Sequence, residues 1–365
     1  MRTDVARLTK LLTHESQEVR RQVAATLGRI GGQAAQAVPA LAKRLRDPSP
    51  DVRAQTAIAL GEIGPQAAPS VPALMARLVD SVAQVRTYVV WALGRIGDEA
   101  APAISSLARM LQDSDKLVRV TAALALERIG KTRPVTEAVP ALVECLNSDP
   151  DAGVRKAIIM ALGGLGPAAA PAVGALASVL DSDDEEVRER AAWALTCIGP
   201  GASDAAERLA SLLTDPSPDV RTQAAVALGR IGFLARSAVP QIVSLLRDDL
   251  FYVRQAAATA LVDLGRCAAE DVAALLSSPD PSDREAAASV LGRIGIRAPE
   301  TVGLLIERLE DSDVFVRLRA AESLGRMGPA AAAGAEALEG LVANAEDDDM
   351  VAEAAAQALA SIRPA

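Results

Sequence analysis

Residues 50–64 read PDVRAQTAIALGEIG, and residues 218–232 read PDVRTQAAVALGRIG, which is nearly the same sequence much further along the chain. The Val-Arg pair inside this stretch recurs at a nearly constant interval. Its arginines are Arg20, Arg53, Arg86, Arg119, Arg155, Arg188, Arg221, Arg254 and Arg317, and Asp283-Arg284 is a variant copy. The interval is 33 residues, apart from one of 36 and one of 30. Such a period indicates a chain of structural repeats.

Each repeat contains two stretches in which apolar residues follow the pattern of an amphipathic helix. The first is typified by AVPALAKRLRD at residues 37–47, and the second by residues 50–64. The turn between them predicts Ser49 as the N-cap of the second helix, with Pro50 at its first position. A glycine after each second helix predicts a left-handed cap, at Gly64, Gly97, Gly130, Gly166, Gly199 and Gly232. About eleven helix pairs result, and each buries its apolar stripe only by stacking on its neighbours.

The pattern LxxLLxD-turn-[DE]VRxxAAxALGxIG resembles HEAT repeats, in particular the short HEAT-like repeats first associated with phycobilisome lyases. The resemblance covers essentially the whole chain. It implies an all-α fold, an α-solenoid that forms a right-handed superhelix of about eleven two-helix repeats, with the second helices on its concave face. We expect a single domain over residues 1–365, in which the terminal repeats 1–32 and 335–365 act as caps.

Positions in the second helix are numbered here from the repeated arginine. Positions −1, +3, +4, +6, +7 and +10 are nearly always Val, Ala, Leu or Ile, which predicts the core, whereas +1, +2, +5 and +9 lie on the opposite arc. The arginine lies near the core arc and therefore needs an acidic partner. HEAT-like families have Asp–Arg contacts along their turns, so we expect a ladder of ion pairs that ties adjacent repeats. The aspartates stand six residues before an arginine, at Asp47, Asp80, Asp113, Asp149, Asp215, Asp248 and Asp311.

Position +5 carries a sizeable apolar side chain in six consecutive repeats, the second to the seventh. Exposed, contiguous apolar surface commonly binds a partner, and Trp and Tyr are enriched among interface hot spots. A structural alternative remains open, in which these side chains pack on one another across repeats. The candidate apolar contacts are Ile58, Tyr88, Trp91, Leu124, Met160, Trp193 and Val226.

Charge is distributed unevenly between this face and the rest of the chain. The net charge is −9 and the isoelectric point is about 4.9, which argues against a general nucleic-acid binder. Positions +1, +2, +5 and +9 nevertheless carry ten basic and six acidic residues. That excess favours an acidic, partly apolar partner, although arginines at +9 also suit the negative end of a helix dipole. The candidate orienting residues are Arg95, Arg128, Arg190 and Arg230.

The residues that most catalytic and metal sites need are scarce. One histidine and three cysteines without a CxxC pair disfavour metal enzymes, hydrolase triads and disulfide scaffolds. HEAT-like deoxyhypusine hydroxylases bind iron through several His-Glu pairs, but this chain has only His14-Glu15, and we expect His14 to cap a turn. We therefore expect no catalytic residue, no cofactor and no metal. No apolar signal segment or uninterrupted spanning segment is evident, which predicts a cytoplasmic protein without a membrane partner.

These observations favour a non-enzymatic scaffold or adaptor that binds a protein or peptide along its concave face. The resemblance leaves one enzyme-class alternative, a bilin (tetrapyrrole) lyase or chromophore-handling subunit. Nucleic-acid binding is a third possibility, because HEAT-like alkylpurine glycosylases use concave Trp and Asp residues on damaged DNA. No Asp stands beside Trp91 or Trp193 on the predicted face, so we do not expect that activity.

Overall fold

The computed structural model of the protein describes residues 2–132, 135–295, 298–343 and 349–363. Within these residues the chain forms 22 α-helices and no β-strand. Contacts divide it into two compact units, Met1–Val179 (unit 1) and Leu180–Ala365 (unit 2), and each is described by itself. The expected single domain with capping repeats stays a prediction, and parts of the C-terminal cap, 344–348 and 364–365, lie outside the described residues.

Unit 1 contains eleven of the helices. They are α1 (Arg2–Leu11), α2 (Gln17–Ile30), α3 (Val38–Arg44), α4 (Pro50–Ile63), α5 (Val71–Met75), α6 (Ala83–Ile96), α7 (Ile104–Met110), α8 (Lys116–Gly130), α9 (Val139–Ser148), α10 (Ala152–Leu165) and α11 (Val173–Ser178). The even-numbered helices are the second helices of the repeats, and each of them packs on the next one. This stacking in sequence order is that of an α-solenoid.

Unit 2 contains the other eleven helices. They are α12 (Glu185–Ile198), α13 (Ala206–Ser211), α14 (Pro218–Ile231), α15 (Val239–Ser244), α16 (Phe251–Leu264), α17 (Ala269–Ala274), α18 (Pro281–Ile294), α19 (Pro299–Glu307), α20 (Val314–Met327), α21 (Ala335–Ala343) and α22 (Asp349–Ile362). Here too every second helix, from α12 to α22, packs on the next. The predicted count of eleven first and eleven second helices is confirmed.

A 3₁₀ segment that the sequence analysis did not predict precedes most of the first helices. Examples are Gly64–Ser70 before α5 and Gly97–Ala103 before α7. A 3₁₀ helix has three residues per turn, so side chains three apart lie on one face. Ala100 and Ala103 are accordingly both buried, as are Ala67 and Ser70. The first helices are short because this small-residue face occupies part of each repeat.

The core consists of the predicted positions of the second helices. From α4 to α20, the residues at −1, +3, +4, +6 and +7 are all buried, and those at +10 are buried except for half-buried Ile294. Exceptions otherwise fall in α2 and α22, the second helices of the terminal repeats. None of the seven aromatic residues is buried. The core is therefore built mainly from Ala, Val, Leu and Ile, as the residues at these positions predict.

Glycine at position +8 lets adjacent second helices approach closely. A Cβ added to Gly94 of α6 would lie 2.9 Å from the Cα of Ala125 in α8, and one added to Gly229 of α14 would lie 2.8 Å from the Cα of Ala260 in α16. Real side chains do not reach such distances from a backbone atom. Seven of the eleven repeats have a Leu-Gly pair at +7 and +8, in which leucine fills the core and glycine leaves room for the neighbouring helix.

The predicted Asp–Arg ladder is confirmed, and all seven aspartates belong to it. In each pair the arginine Nε and Nη2 donate to both carboxylate oxygens of the aspartate in the next repeat. Arg86 and Asp113 are typical, with both distances at 2.7 Å. The pairs are Arg20–Asp47, Arg53–Asp80, Arg86–Asp113, Arg119–Asp149, Arg188–Asp215, Arg221–Asp248 and Arg284–Asp311.

Each ladder pair is further hydrogen-bonded to the turns that it joins. The Nη1 group of Arg86 donates to the Asp80 carbonyl of its own turn at 2.8 Å. The Asp113 carboxylate also accepts the N–H of Asp115 at 2.9 Å, which tightens the next turn. Both partners are largely buried, with 13% and 8% of their side chains exposed. Desolvation of such a pair is offset only by this near-complete hydrogen bonding.

The helix ends differ from the predicted caps in three details. Ser49 occupies the N-cap position, but its hydroxyl makes no capping bond. Gly64 has a positive φ of 74°, yet its ψ of −141° lies outside the left-handed helical region, because the chain turns directly into the 3₁₀ segment. Gly130 is the last residue of α8 and has no positive φ. A true left-handed cap occurs at Gly295, with φ 69° and ψ 29°.

Two stretches are long and apolar enough to cross a membrane by length and composition alone, Ala152–Asp181 and Pro218–Arg247. Neither is one continuous α-helix. In the first, α10 ends at Leu165 and Gly166 adopts φ 57° and ψ −135° before a 3₁₀ segment and α11. The second likewise contains α14, a 3₁₀ segment and α15. About half of each apolar window is buried inside the fold, at 56% and 44%.

Replacing a +8 glycine by alanine tests the close helix approach. We expect Gly94→Ala to lower the free energy of unfolding by about 1–3 kcal/mol, the usual cost of overpacking. Gly174→Ala is the matched control, because a Cβ there meets nothing within 4 Å, and we expect a change within about 1 kcal/mol that favours stability. Urea unfolding of both variants measures the difference. Equal effects would contradict the packing account.

The ladder predicts a loss of stability in acid. Burial raises the pKa of Asp113, but hydrogen bonds from Arg86 and from the Asp115 N–H lower it more, so that it lies below the ordinary 3.8. The pKa values of the other six ladder aspartates are also lowered. The unfolded chain therefore binds more protons than the folded one near pH 4, and stability present above that pH is lost as the pH falls.

Melting temperatures measured between about pH 7 and pH 3 test this prediction. Asp113→Asn is the control variant. It should melt lower than the wild type at neutral pH, because the charged pair is broken, and should lose less on acidification. Parallel acid profiles for the two proteins would show that this carboxylate does not carry the sensitivity.

Candidate functional site

The side chains at position +5 lie on the accessible side of the second helices, opposite the core. In the described residues none of the eleven is buried, and Leu124 has 41% of its surface exposed. The half-buried members include Ile58, Trp91, Met160, Trp193 and Val226. Their position opposite the core arc follows from the helical period. The proposed apolar contacts therefore all lie on accessible surface.

In unit 1 these residues form a stripe, called here the unit 1 stripe. It crosses four adjacent helices, α4, α6, α8 and α10, each packed on the next. Its members are Ile58, Tyr88, Trp91, Leu124 and Met160. Tyr88 and Trp91 lie three residues apart on α6, and both are half-buried. The stripe places accessible apolar side chains on neighbouring helices without a gap.

Trp91 is held by contacts on two sides. A Cβ added to Gly61 of α4 would collide with the Trp91 ring, so the indole lies directly on that backbone. The Arg95 guanidinium lies 5.8 Å from the ring centroid, within the range of a cation–π contact. The alternative in which the +5 side chains pack across repeats therefore applies in part to Trp91, because its ring packs on the backbone of the preceding repeat. It still keeps accessible surface, and its orientation is fixed.

Unit 2 has its own, smaller set, with Trp193 on α12 and Val226 on the adjacent α14. Burial raises the pKa of the Cys197 thiol on α12, and the positive charge of Arg230 on α14 opposes this rise. Cys197 stands at position +9 and is half-buried. Burial also raises the pKa of the Cys145 thiol, to about 11. Neither thiol is ionised near neutral pH, which argues against nucleophilic chemistry.

The predicted basic residues fall into two groups. Arg95, Arg128 and Arg230 are exposed and form no ion pair with a described carboxylate. Arg190 donates to Glu186 on its own helix. Arg21, Arg319 and Arg326 also pair with neighbouring glutamates. The excess positive charge of this face is therefore smaller than the residue count suggests.

His14 has the predicted role at a turn. Its Nδ1 accepts the N–H of Ser16 at 3.1 Å, and its carbonyl accepts Arg20 Nη1 at 2.9 Å. In the described part of the chain, no three His, Cys, Asp or Glu side chains are grouped so as to hold a metal ion. These contacts place His14 in the turn that binds Arg20, the first arginine of the Asp–Arg ladder.

A group of exposed aromatic residues lies outside the face predicted from the sequence. Phe233 and Phe251 have 63% and 66% of their surface exposed, and Tyr252 and Phe315 have 45% and 48%. An arginine lies over two of these rings, Arg236 at 4.7 Å from the Phe233 centroid and Arg254 at 5.7 Å from that of Phe251. Their place in the sequence indicates this exposure, because these aromatic residues stand at turn or helix-start positions, outside the core positions of the repeat.

Comparison with protein families decides what kind of repeat this is. The family model described as HEAT repeats matches residues 38–127, 71–163, 104–196, 173–262 and 269–360. A second model, described as PBS lyase HEAT-like repeat, matches residues 19–47. The chain belongs to the HEAT-repeat family. No curated protein matches the sequence of this HEAT-repeat protein.

Solved structures similar to this HEAT-repeat protein share its fold at low sequence identity. Importin beta has a TM-score of 0.60 and 16% identity, over 98% of this chain and 55% of its own. Kap121p has a TM-score of 0.54 and 17% identity, over 98% of this chain and 45% of its own. Kap121p bound to the extreme C-terminus of the protein phosphatase Cdc14p has a TM-score of 0.51 and 16% identity, over 99% and 46%. The chain spans about half the length of these proteins.

The accessibility of the two indoles can be measured directly, because Trp91 and Trp193 are the only tryptophans. We expect the single-tryptophan variants Trp91→Phe and Trp193→Phe each to be quenched by acrylamide less than free tryptophan but clearly more than a buried indole. Half-burial is the physical reason. If either remaining indole resists quenching until the protein is denatured, it is sealed inside the fold and leaves the candidate face.

Proposed function

We propose that this HEAT-repeat protein is a non-enzymatic scaffold that binds a segment of another protein along the exposed face of its second helices. One observation carries the proposal. In unit 1, accessible apolar side chains continue across four adjacent helices, although the core is complete without them. Contiguous apolar surface of this kind favours a partner, since leaving it in water has a free-energy cost.

The unit 1 stripe has the dimensions of a short peptide. Four helices at spacings of roughly 8–10 Å place its ends about 25–30 Å apart. An extended segment of about eight residues covers that distance at roughly 3.3 Å per residue. The Trp91 ring is held on Gly61 and beneath Arg95, so it is already largely ordered before a partner binds. Such preorganisation lowers the entropy cost of association.

The character of the partner follows from the charges along the stripe. Arg95 and Arg128 are exposed and form no ion pair with a described carboxylate, so acidic residues of a partner supply the complementary charge. In unit 2, Trp193, Val226 and Arg230 offer a second surface of the same composition, while Arg190 is engaged by Glu186. The partner is thus a protein or peptide with apolar and acidic residues.

Similar structures support this class of function without fixing its details. The karyopherin Kap121p, whose fold is similar to that of this chain, is bound in one structure to the extreme C-terminus of the protein phosphatase Cdc14p. The bilin-handling alternative stays a prediction, because the PBS lyase HEAT-like match covers only residues 19–47. A cytoplasmic location is also part of the proposal, since Cys145, Cys197 and Cys267 are free thiols.

Selection from a random displayed-peptide library tests the proposal. We expect enriched peptides to combine Asp or Glu with apolar residues. Leu124→Ser and Arg128→Gln should each weaken a selected peptide by about 1–2 kcal/mol, or roughly five- to thirtyfold in Kd, as hot-spot truncations do. Both side chains are exposed, so these changes leave folding nearly intact. Titration of labelled peptide by fluorescence anisotropy measures the affinities.

Leu11→Ser on α1 is the matched control, because Leu11 is 44% exposed, close to the 41% of Leu124, but lies on a first helix. It should leave peptide affinity unchanged. The proposal fails if no peptide is enriched, or if Leu124→Ser and Leu11→Ser have the same effect. Binding of free bilin with an absorbance shift, without peptide binding, would favour the chromophore-handling alternative.

A further inference from the structure

The Asp–Arg ladder is interrupted once inside unit 2, between the repeats of α16 and α18. Arg254 of α16 is a repeated arginine, but the position that holds the aspartate elsewhere is occupied by Ser278. The Ser278 carbonyl accepts Arg284 Nη1 at 2.9 Å, just as the Asp80 carbonyl accepts Arg86 Nη1. Ser278 therefore stands at the ladder position, and a hydroxyl replaces the carboxylate that Arg254 would bind.

A different pair holds this junction together. Asp283, which replaces the valine of the Val-Arg pair, is buried and accepts Arg247 Nε at 2.8 Å and the Ser278 hydroxyl at 2.6 Å. Hydrogen bonds from Arg247 lower the pKa of Asp283, with burial opposing them. The two repeats remain connected, and the connection does not use Arg254.

The fork of Arg254 is consequently open. Its Nη1 donates to the Asp248 and Asp249 carbonyls at 2.7 and 3.0 Å, and its guanidinium lies 5.7 Å from the Phe251 centroid. Its Nε and Nη2, which bind the aspartate in seven other repeats, have no hydrogen-bond partner among the described residues. The side chain is thus oriented by its own turn, and its Nε and Nη2 groups remain available as donors.

Arg254 lines a cleft of about 630 Å³ between α16 and α18. Arg293, an exposed residue of α18 that donates to Thr259 Oγ1, also lines it, as does the exposed ring of Phe251. Arg319 and Glu285 in the wall neutralise each other. Asp249 and Asp280 are acidic neighbours in the wall, and they disfavour a doubly charged anion such as phosphate.

We propose that Arg254 is a carboxylate-binding site, in which an external carboxylate takes the place of the missing ladder aspartate. The planar fork matches the two oxygens of one carboxylate group, and the seven intact pairs show that the same side chain in the same turn binds that group. Arg293 contributes a second positive charge, and Phe251 packs against the carbon chain that bears the acid. The site shares no residue with the unit 1 stripe or with Trp193, Val226 and Arg230.

The test uses full-length protein labelled with ¹⁵N-arginine, with the Arg254 Nε–H signal assigned by its loss in Arg254→Lys. Three probes are titrated: succinate, the capped dipeptide acetyl-Asp-Leu-amide and inorganic phosphate. We expect a saturable shift of this signal with at least one carboxylate probe and none with acetyl-Asn-Leu-amide. Binding of succinate alone identifies a small carboxylate as the ligand, and stronger binding of the dipeptide identifies an acidic side chain of a peptide.

Two variants and one control complete the experiment. Arg254→Gln should weaken carboxylate binding at least about tenfold, the usual loss for a charge-assisted hydrogen-bonded pair. The double variant Ser278→Asp with Asp283→Val rebuilds the pattern of the other repeats, so an internal carboxylate should occupy the fork and block the probe. Arg266→Gln, an exposed arginine outside the cleft, should bind as the wild type does.

The proposal is overturned if the wild type shows no saturable shift with either carboxylate, if phosphate binds more tightly than both, or if the rebuilt double variant still binds the probe. Because the wild-type titration is informative by itself, unfolding of a variant does not remove the test. Failure here leaves the proposed peptide-binding face untouched, since that face is probed with other residues and another ligand.

Discussion

A largely buried guanidinium must find an acceptor for its N–H groups, and in seven repeats of this protein a carboxylate of the neighbouring repeat is that acceptor. Arg86 shows the arrangement: one nitrogen binds the carbonyl of its own turn and two others bind Asp113 of the next. The pair is worth little unless both residues are placed correctly, because an unpaired buried charge is costly. Each junction therefore has one stacking register in which the arginine is satisfied. A single pair of residues, repeated seven times, fixes how helix pairs follow one another within each unit.

Because the Asp–Arg pairs in the turns fix how the repeats stack, the second helices can pack on one another through small residues. Glycine at +8 brings neighbouring backbones together, as Gly94 does against Ala125, and no aromatic ring is needed in the core. The aromatic side chains lie instead on the surface, where Trp91 rests on Gly61 and Phe251 beneath Arg254. Function in such a fold is carried by side chains that stability does not require. That separation is why apolar residues at +5 are informative about a partner.

The Asp–Arg interaction also explains the junction between α16 and α18, where the ladder is interrupted. Where Ser278 replaces the ladder aspartate, the junction is rebuilt from Arg247 and Asp283, and Arg254 keeps its orientation without its carboxylate. The change coincides with the one interval of 30 residues, where the 3₁₀ segment before α17, Gly265–Ala268, has four residues, against seven in Gly232–Ala238 before α15. An interaction that is structural in seven repeats thus leaves a preorganised donor pair at Arg254.

The sequence by itself determined the helix pairs, the core positions and the ladder, because each of these depends on a residue's place in a 3.6-residue period or a 33-residue repeat. Burial at −1, +3, +4, +6 and +7 follows from helix geometry alone, and so does the accessibility of +5. The tertiary structure decided what depends on contacts between repeats or on local hydrogen bonding. It placed Trp91 on Gly61, neutralised Arg190 with Glu186, turned the small-residue segments into 3₁₀ helices and left Arg254 open. These outcomes depend on which atoms meet across an interface, and no spacing within one helix encodes that.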